Sequence, residues 1–261
     1  EFRRVLFRSY VLPVTIKSVE GIGVLQSAKT YYYVFRGASL INVVCNISRN
    51  RAYPDFKNDS KFNNLTENTM EILFKANSFP NTLNTLMGIE SNYLLRIGDA
   101  TIPNNQLQVA TSVNNCTSAD LQLESGKWYH VAVAFNKGNV KVYINGVEKL
   151  SGSTGKSSVS LGAKHTNEED GSRCFWVGYS YKDDRYFDGV VSEVRIWNRA
   201  LTAEEIQATN HFYTIEPESE GLIAYWKFDE GSGTVAKDYS VSGYDLTIEK
   251  EPKWESVSLP Q

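Results

Sequence analysis

The residues best equipped for chemistry gather in a few short segments. The richest is GYSYKDDRY, residues 178–186, where Tyr179, Tyr181 and Tyr186 are interspersed with Asp183, Asp184 and Arg185. Phenol rings offer flat apolar faces, and the hydroxyl, carboxylate and guanidinium groups offer donors and acceptors. That combination suits the apolar face and the hydroxyls of a pyranose. It equally suits a well-anchored hairpin whose tyrosines cover a sheet edge, and both readings stand. In VSEVRIW, residues 191–197, Trp197 shares a strand face with Glu193 and Arg195, opposite Val194 and Ile196, an alternation that opens it to a groove, although a strand tryptophan is usually core, and both readings stand. Asp229, beside the turn EGSG, and Asp238 further on carry hard oxygens of the kind that hold Ca²⁺. The alternative there is a pair of ordinary turns.

No catalytic residue is nominated. A retaining glycosidase needs two carboxylates about 5–5.5 Å apart, and no ExDxE strand supplies them. The acidic run 167–170 reads as a solvated loop, and Glu193 with Arg195 as an ion pair. His130, His165 and His211 have no visible nucleophile partner, and neither GxSxG nor HExxH occurs. Three cysteines without a CxxC exclude a cysteine zinc site; Cys116 and Cys174 are open as a bridge or as two thiols. A formal charge of -3 excludes a duplex nucleic-acid binder. The apolar runs are too short for a transmembrane segment.

Strands must position these residues. Among 261 residues, 41% hydrophobic and 22% charged, β-branched and aromatic runs recur with turn residues between them. They fall at 10–19, 31–36, 40–47, 69–76, 84–90, 93–98, 106–110, 119–123, 128–135, 140–145, 158–162, 175–180, 190–198, 222–228 and 244–248. Such spacing predicts an all-β sandwich or barrel. One hairpin is predicted in register around Asn136-Lys137-Gly138-Asn139. It sets Phe135 against Val140, Val133 against Val142 and Val131 against Ile144 on one apolar face. The opposite face, with His130, Ala132 and Ala134, reads as mixed. Thr202-Ala203-Glu204-Glu205 is a capping box opening one short helix that runs to about Thr209.

Three segments together resemble the laminin-G-like, concanavalin-A-like domain of bacterial carbohydrate proteins. They are GKWYHVAVAFNKGNVKVYINGVE (126–148), FDGVVSEVRIWNRALTAEEIQA (187–208) and GLIAYWKFDEGSGTVAKDYSVSGYDLTI (221–248). The resemblance implies an all-β fold, a concanavalin-A-like jelly-roll β-sandwich with one short helix. In the commonest form of that family the AYWKFDEGSG-like strand opens the domain; here it comes last. That order, with YVLPVTI near the start and PKWESVSLP at the end, resembles a narrower group of surface proteins of Gram-negative gut bacteria. In that group a small immunoglobulin-like domain of unknown function precedes the laminin-G-like one.

The implied organisation is a non-native leader at 1–9, the C-terminal remnant of an immunoglobulin-like domain at 10–47, a linker at 48–60, and the jelly roll at 61–261. The leader reading rests on EFRRVLFRS, which resembles a translated adaptor sequence. The implied function is a non-catalytic, lectin-like module capturing glycans at a bacterial cell surface or in the periplasm. Its ligand would be an oligo- or polysaccharide, with structural Ca²⁺ at Asp229 and Asp238 and a glycan-degrading enzyme as associated partner. The alternatives are a structural spacer or docking domain of a larger polysaccharide-utilisation protein, and a glycoside hydrolase of the same fold.

Overall fold

Two antiparallel sheets form the sandwich, and their residues were marked out by alternation. In Trp128–Asn136, Val131, Val133 and Phe135 point into the core between the sheets, paired with Ile144, Val142 and Val140 in the expected register. The computed structural model describes the backbone of residues 3–5, 9–15 and 30–36, together with residues 40–166 and 173–259. The acidic run 167–170 and most of the expected leader lie outside the described residues. Arg3–Val5, Ser9–Thr15 and Thr30–Arg36 make a small antiparallel sheet in a unit of their own, Glu1–Leu40.

The front sheet runs in the order Asn115–Cys116, Ile102–Thr111, Tyr93–Asp99, Asn84–Ile89, Trp176–Val177, Ala52–Pro54, Leu246–Ile248, Val235–Ala236. The back sheet runs Val147–Ser153, Asn139–Ile144, Trp128–Asn136, Glu67–Ala76, Gly189–Trp197, Ile41–Asn46, Lys253–Leu259, and Leu222–Trp226 also pairs with Gly189–Trp197. With the core between them, this is the expected jelly-roll sandwich.

The domain boundary falls at residue 40, not at 47. Ile41–Asn46 is hydrogen-bonded between Gly189–Trp197 and Lys253–Leu259, with Val44 and Cys45 fully buried. Nor is 48–60 a linker: Ala52–Pro54 is a front-sheet strand, and Phe56 stacks on Phe62 inside the core. The polar composition of this stretch hid Phe56, an aromatic residue that the core requires. The expected strand 119–123 is a 3-10 turn, Ala119–Leu121. The expected strand 158–162 contributes a single bridge, Val159 to Leu65.

The middle of the back sheet, Glu67–Ala76 and Gly189–Trp197, is buried on both faces, and this cover extends over part of the hairpin's mixed face. Ala132, Ala134 and Tyr143 pack under the chain that leaves Trp197, with Leu201, Ile206, Leu222 and Tyr225. That covering segment starts with the expected capping box. The Thr202 amide donates to Glu205 Oε2 at 2.9 Å, and the Glu205 amide donates to Thr202 Oγ1 at 3.3 Å. The helix itself is one turn, Ala203–Ile206, ending three residues before the expected stop.

Candidate functional site

Gly178 turns the chain out of the strand Trp176–Val177. Its φ is +78°, and a Cβ there would lie 2.5 Å from Ile47 Cδ1, so both conformation and space call for glycine. The segment that follows closes on itself when the Phe187 amide donates to the Gly178 carbonyl at 2.9 Å. Phe187 plugs the core, and the residues between stand clear of it.

Within this segment the tyrosines divide by role. Tyr179 is buried, its ring 5.2 Å edge-on from Trp176 and 4.7 Å from Tyr186, with the Arg51 guanidinium 4.5 Å above it. It anchors the segment. Tyr181 is half-buried and carries the guanidinium groups of Arg173 and Arg185 at 4.4 and 4.6 Å from its ring centre. Arg185 donates to Glu90 Oε2 at 2.9 Å, and Arg96 Nη1 lies 4.0 Å from the other oxygen of Glu90. Asp183 opens the 3-10 turn Asp183–Arg185, and Asp184 is exposed at its rim.

Glu90, Arg173, Cys174, Trp176, Ser180 and Tyr181 surround a shallow surface dip with no enclosed volume, in which Cys174, Trp176 and Ser180 are buried. Beside it Tyr53 stacks on His165 at 3.5 Å, and Cys174 Sγ lies 3.3 Å from His165 Nδ1. No disulfide joins the cysteines. The structure thus gathers Tyr179, Tyr181, Arg185 and Tyr186 in one place, with Asp184 at the edge.

Trp197 does not join them. It belongs to the back sheet, buried under the covering segment rather than facing a groove, and its indole N–H donates to Glu71 Oε2 at 2.7 Å. This leads to a second constellation. In register, Glu71 faces Ala132 on one side and Arg195 on the other, and the small alanine leaves room for the carboxylate. His211, from the covering segment, places Nε2 at 2.6 Å from Glu71 Oε1, and His130 Nε2 lies 3.3 Å from the same oxygen. The His130 contact is not angled as a hydrogen bond, so neither ring nitrogen of this buried imidazole has one.

A bulge adds Glu193 to the group. At Glu193 φ is +45° and the register with Glu67–Ala76 shifts, the local kink of an extra residue in one strand. Its carboxylate is thereby bonded to Arg195, and it accepts from the Tyr225 hydroxyl at 2.7 Å. Arg195 also donates to the His211 carbonyl at 2.7 Å.

Glu71, His130 and His211 could hold a metal ion, since their ligand atoms lie within 4.8 Å of one another. Two imidazoles and one carboxylate suit a borderline dication rather than Ca²⁺. The expected calcium ligands are placed differently. Asp229 is exposed. Asp238 is buried, and its oxygens accept the amides of Tyr225 (2.9 Å), Ser240 (2.8 Å) and Tyr244 (2.8 Å). Three of its about four acceptor positions are thus taken by backbone amides, an arrangement that is satisfied without a cation.

Burial would raise the Glu71 carboxyl, but contact with the two histidines outweighs it and holds the group well below the ordinary range. For Glu193 burial prevails, and its pKa is raised. Burial also lowers that of His130 against the pull of Glu71. The folded state therefore keeps a neutral His130 where the unfolded chain takes up a proton. Stability should fall as pH drops below the free imidazole value of about 6.5. His165, also lowered by burial, adds in the same sense, and Glu193 acts against both. The urea midpoint is expected to fall between pH 7.5 and 5.0, less steeply in His130→Gln. An unchanged slope in that variant would remove His130 from the account.

Sequence reasoning passed over Glu71, Glu90, Arg173 and Trp176 as site residues, and left His130 and His211 without partners. For His130 a signal was present: a histidine alternating with Ala132 and Ala134 on a strand marks a second buried face. His211 and Glu71 lie 140 residues apart, and nothing local links them.

The family model of the concanavalin A-like lectin/glucanases superfamily matches residues 50–207. Among solved structures, the chain is similar to a Bacteroides ovatus protein proposed to bind carbohydrate. The two share 27% identity and a TM-score of 0.70, over 95% of this chain and 69% of that one. A SAP-like pentraxin of Limulus polyphemus matches at 15% identity and TM-score 0.46, over 67% of this chain and 84% of its own. Domain 4 of the Geobacillus stearothermophilus arabinanase AbnA, solved with arabinotriose, matches at 21% identity and TM-score 0.46, over 66% and 76%. No curated protein matches the sequence.

Proposed function

The chain belongs to the concanavalin A-like lectin/glucanases superfamily, and from that premise we propose that it is a non-catalytic module that captures glycans. The observation that carries this reading is the recess between Trp176 and Tyr181, where aromatic walls meet arginine, glutamate and serine. The similarity to the Bacteroides ovatus protein, itself proposed to bind carbohydrate, supports it. Sugar sites combine apolar lining with a few directed polar groups, and this recess has both. Tyr181 and Arg173 are its half-buried lining, Arg185 packs against Tyr181, and Tyr179 and Tyr186 pack beside the buried Trp176.

The non-catalytic part rests on burial. Glu71 and Glu193 both approach Arg195, the kind of carboxylate proximity a hydrolase needs, yet they are 0% and 2% exposed. A glycosidic bond has no route to them. Display at a bacterial surface or in the periplasm, beside a glycan-degrading enzyme, is part of the same proposal, because polymeric glycans are met there. No described helix is long and apolar enough to cross a membrane. Calcium is left out, for want of a free carboxylate at Asp238.

A glycan array on the whole chain, with and without chelator, tests the proposal. A defined set of binders is expected, unaffected by chelator and weakened at least tenfold in Tyr181→Ala with its circular dichroism unchanged. A blank array favours a spacer or docking domain. Binding that survives Tyr181→Ala moves the site elsewhere.

A further inference from the structure

We propose that the glycan bound at this recess carries a carboxylate, and that Arg173 receives it. The inference rests on the carbohydrate-binding reading above and names the class of sugar. Its basis is the distribution of charge around one tyrosine. Arg173, Arg185 and Lys182 lie 4.4, 4.6 and 5.3 Å from the Tyr181 ring centre, and Arg96 joins them through Glu90.

The described carboxylates nearby are committed to other cations. Glu90 is shared by Arg185 and Arg96, Asp99 is bonded to Arg96, and Asp184 lies 4.0 Å from Arg185. Arg173 is different: it lines the recess, donates to the Ser91 hydroxyl, and has no carboxylate partner among the described residues. A guanidinium is a planar fork whose paired N–H groups match both oxygens of a carboxylate. Here the fork is already held in place, its plane supported by Tyr181 and one edge fixed by Ser91. Little side-chain freedom remains to be lost on binding.

Among the described residues a neutral sugar would leave this cation without a carboxylate, whereas a uronic acid would supply one at the surface beside Tyr181. Glu90 sets a limit on what is accepted. One of its oxygens accepts from Arg185 and the other lies 4.0 Å from Arg96, which keeps a negative charge on one side of the recess and disfavours a second anion there. The charge arrangement therefore fits one carboxylate per bound sugar, with Glu90 left to meet a hydroxyl.

The test is affinity electrophoresis of the whole chain through gels containing polygalacturonate, alginate or hyaluronan, each beside its methyl-esterified form. Arabinan, xylan and mannan serve as neutral polymers. The expected result is retardation by at least one acidic polymer, at least tenfold stronger than by its ester and reduced by salt, because exposed ion pairs are screened. It should be lost in Arg173→Ala and retained in Lys141→Ala, a back-sheet lysine paired with Glu148. Equal retardation by acid and ester, or by neutral polymers alone, overturns the carboxylate while leaving carbohydrate binding in place. Acid-selective binding that survives Arg173→Ala overturns the residue assignment. No retardation by any polymer removes both proposals.

Discussion

Replacing Arg195 by methionine is expected to lower the unfolding free energy by about 3–5 kcal/mol, the cost of removing one partner from a buried ion pair. Methionine fills most of the space, so the loss is electrostatic rather than a cavity. Arg195 is fully buried and answers two carboxylates at once, Glu193 directly and Glu71 at 3.7 Å. It also ties down the covering segment through the His211 carbonyl. Without it, two carboxylates face each other in an apolar setting with the histidines alone to compensate. Urea unfolding followed by tryptophan fluorescence measures the loss. All five tryptophans lie beyond residue 40, so the signal belongs to the sandwich. A cost below about 1 kcal/mol would show that the network is solvated or protonated in a way its burial does not suggest.

Trp226→Ala is expected to cost a similar about 3–5 kcal/mol, for a different reason. Trp226 is fully buried between the sheets, near Phe56 and Phe175 at 6.3 and 6.2 Å between ring centres. Its indole N–H donates to the Tyr244 carbonyl at 2.8 Å, tethering the C-terminal turn. Alanine leaves both a cavity and an unpaired carbonyl. Trp226→Phe should recover more than half of the loss by refilling the space without the hydrogen bond. If the two variants unfold alike, the tether rather than the packing carries the stability.

The contrast between these residues shows what local reading could reach. Trp226 lies in the strand Leu222–Trp226 and packs in the core between the sheets. Trp197 alternates with charged residues, which pointed to a groove. Alternation gives the face of the sheet but not what covers that face. The cover here is a segment of the same chain, folded back over the sheet's outer side. The same omission turned 48–60 into a linker, since a short strand completed by Leu246–Ile248 and Trp176–Val177 carries little pattern of its own.

The sequence by itself determined the strand character of the chain, the register of the hairpin Trp128–Asn136 with Asn139–Ile144, and the capping box at Thr202. Each depends on residues within a few positions of one another, where period-two alternation, turn geometry and side-chain-to-backbone bonds act directly. Only the tertiary structure decided that Glu71 meets His211, that Asp238 serves three amides, and that Arg173 is brought over Tyr181. The first joins stretches 140 residues apart, and the others, though nearer in sequence, depend on how the chain turns between strands as two whole sheets bury their apolar faces.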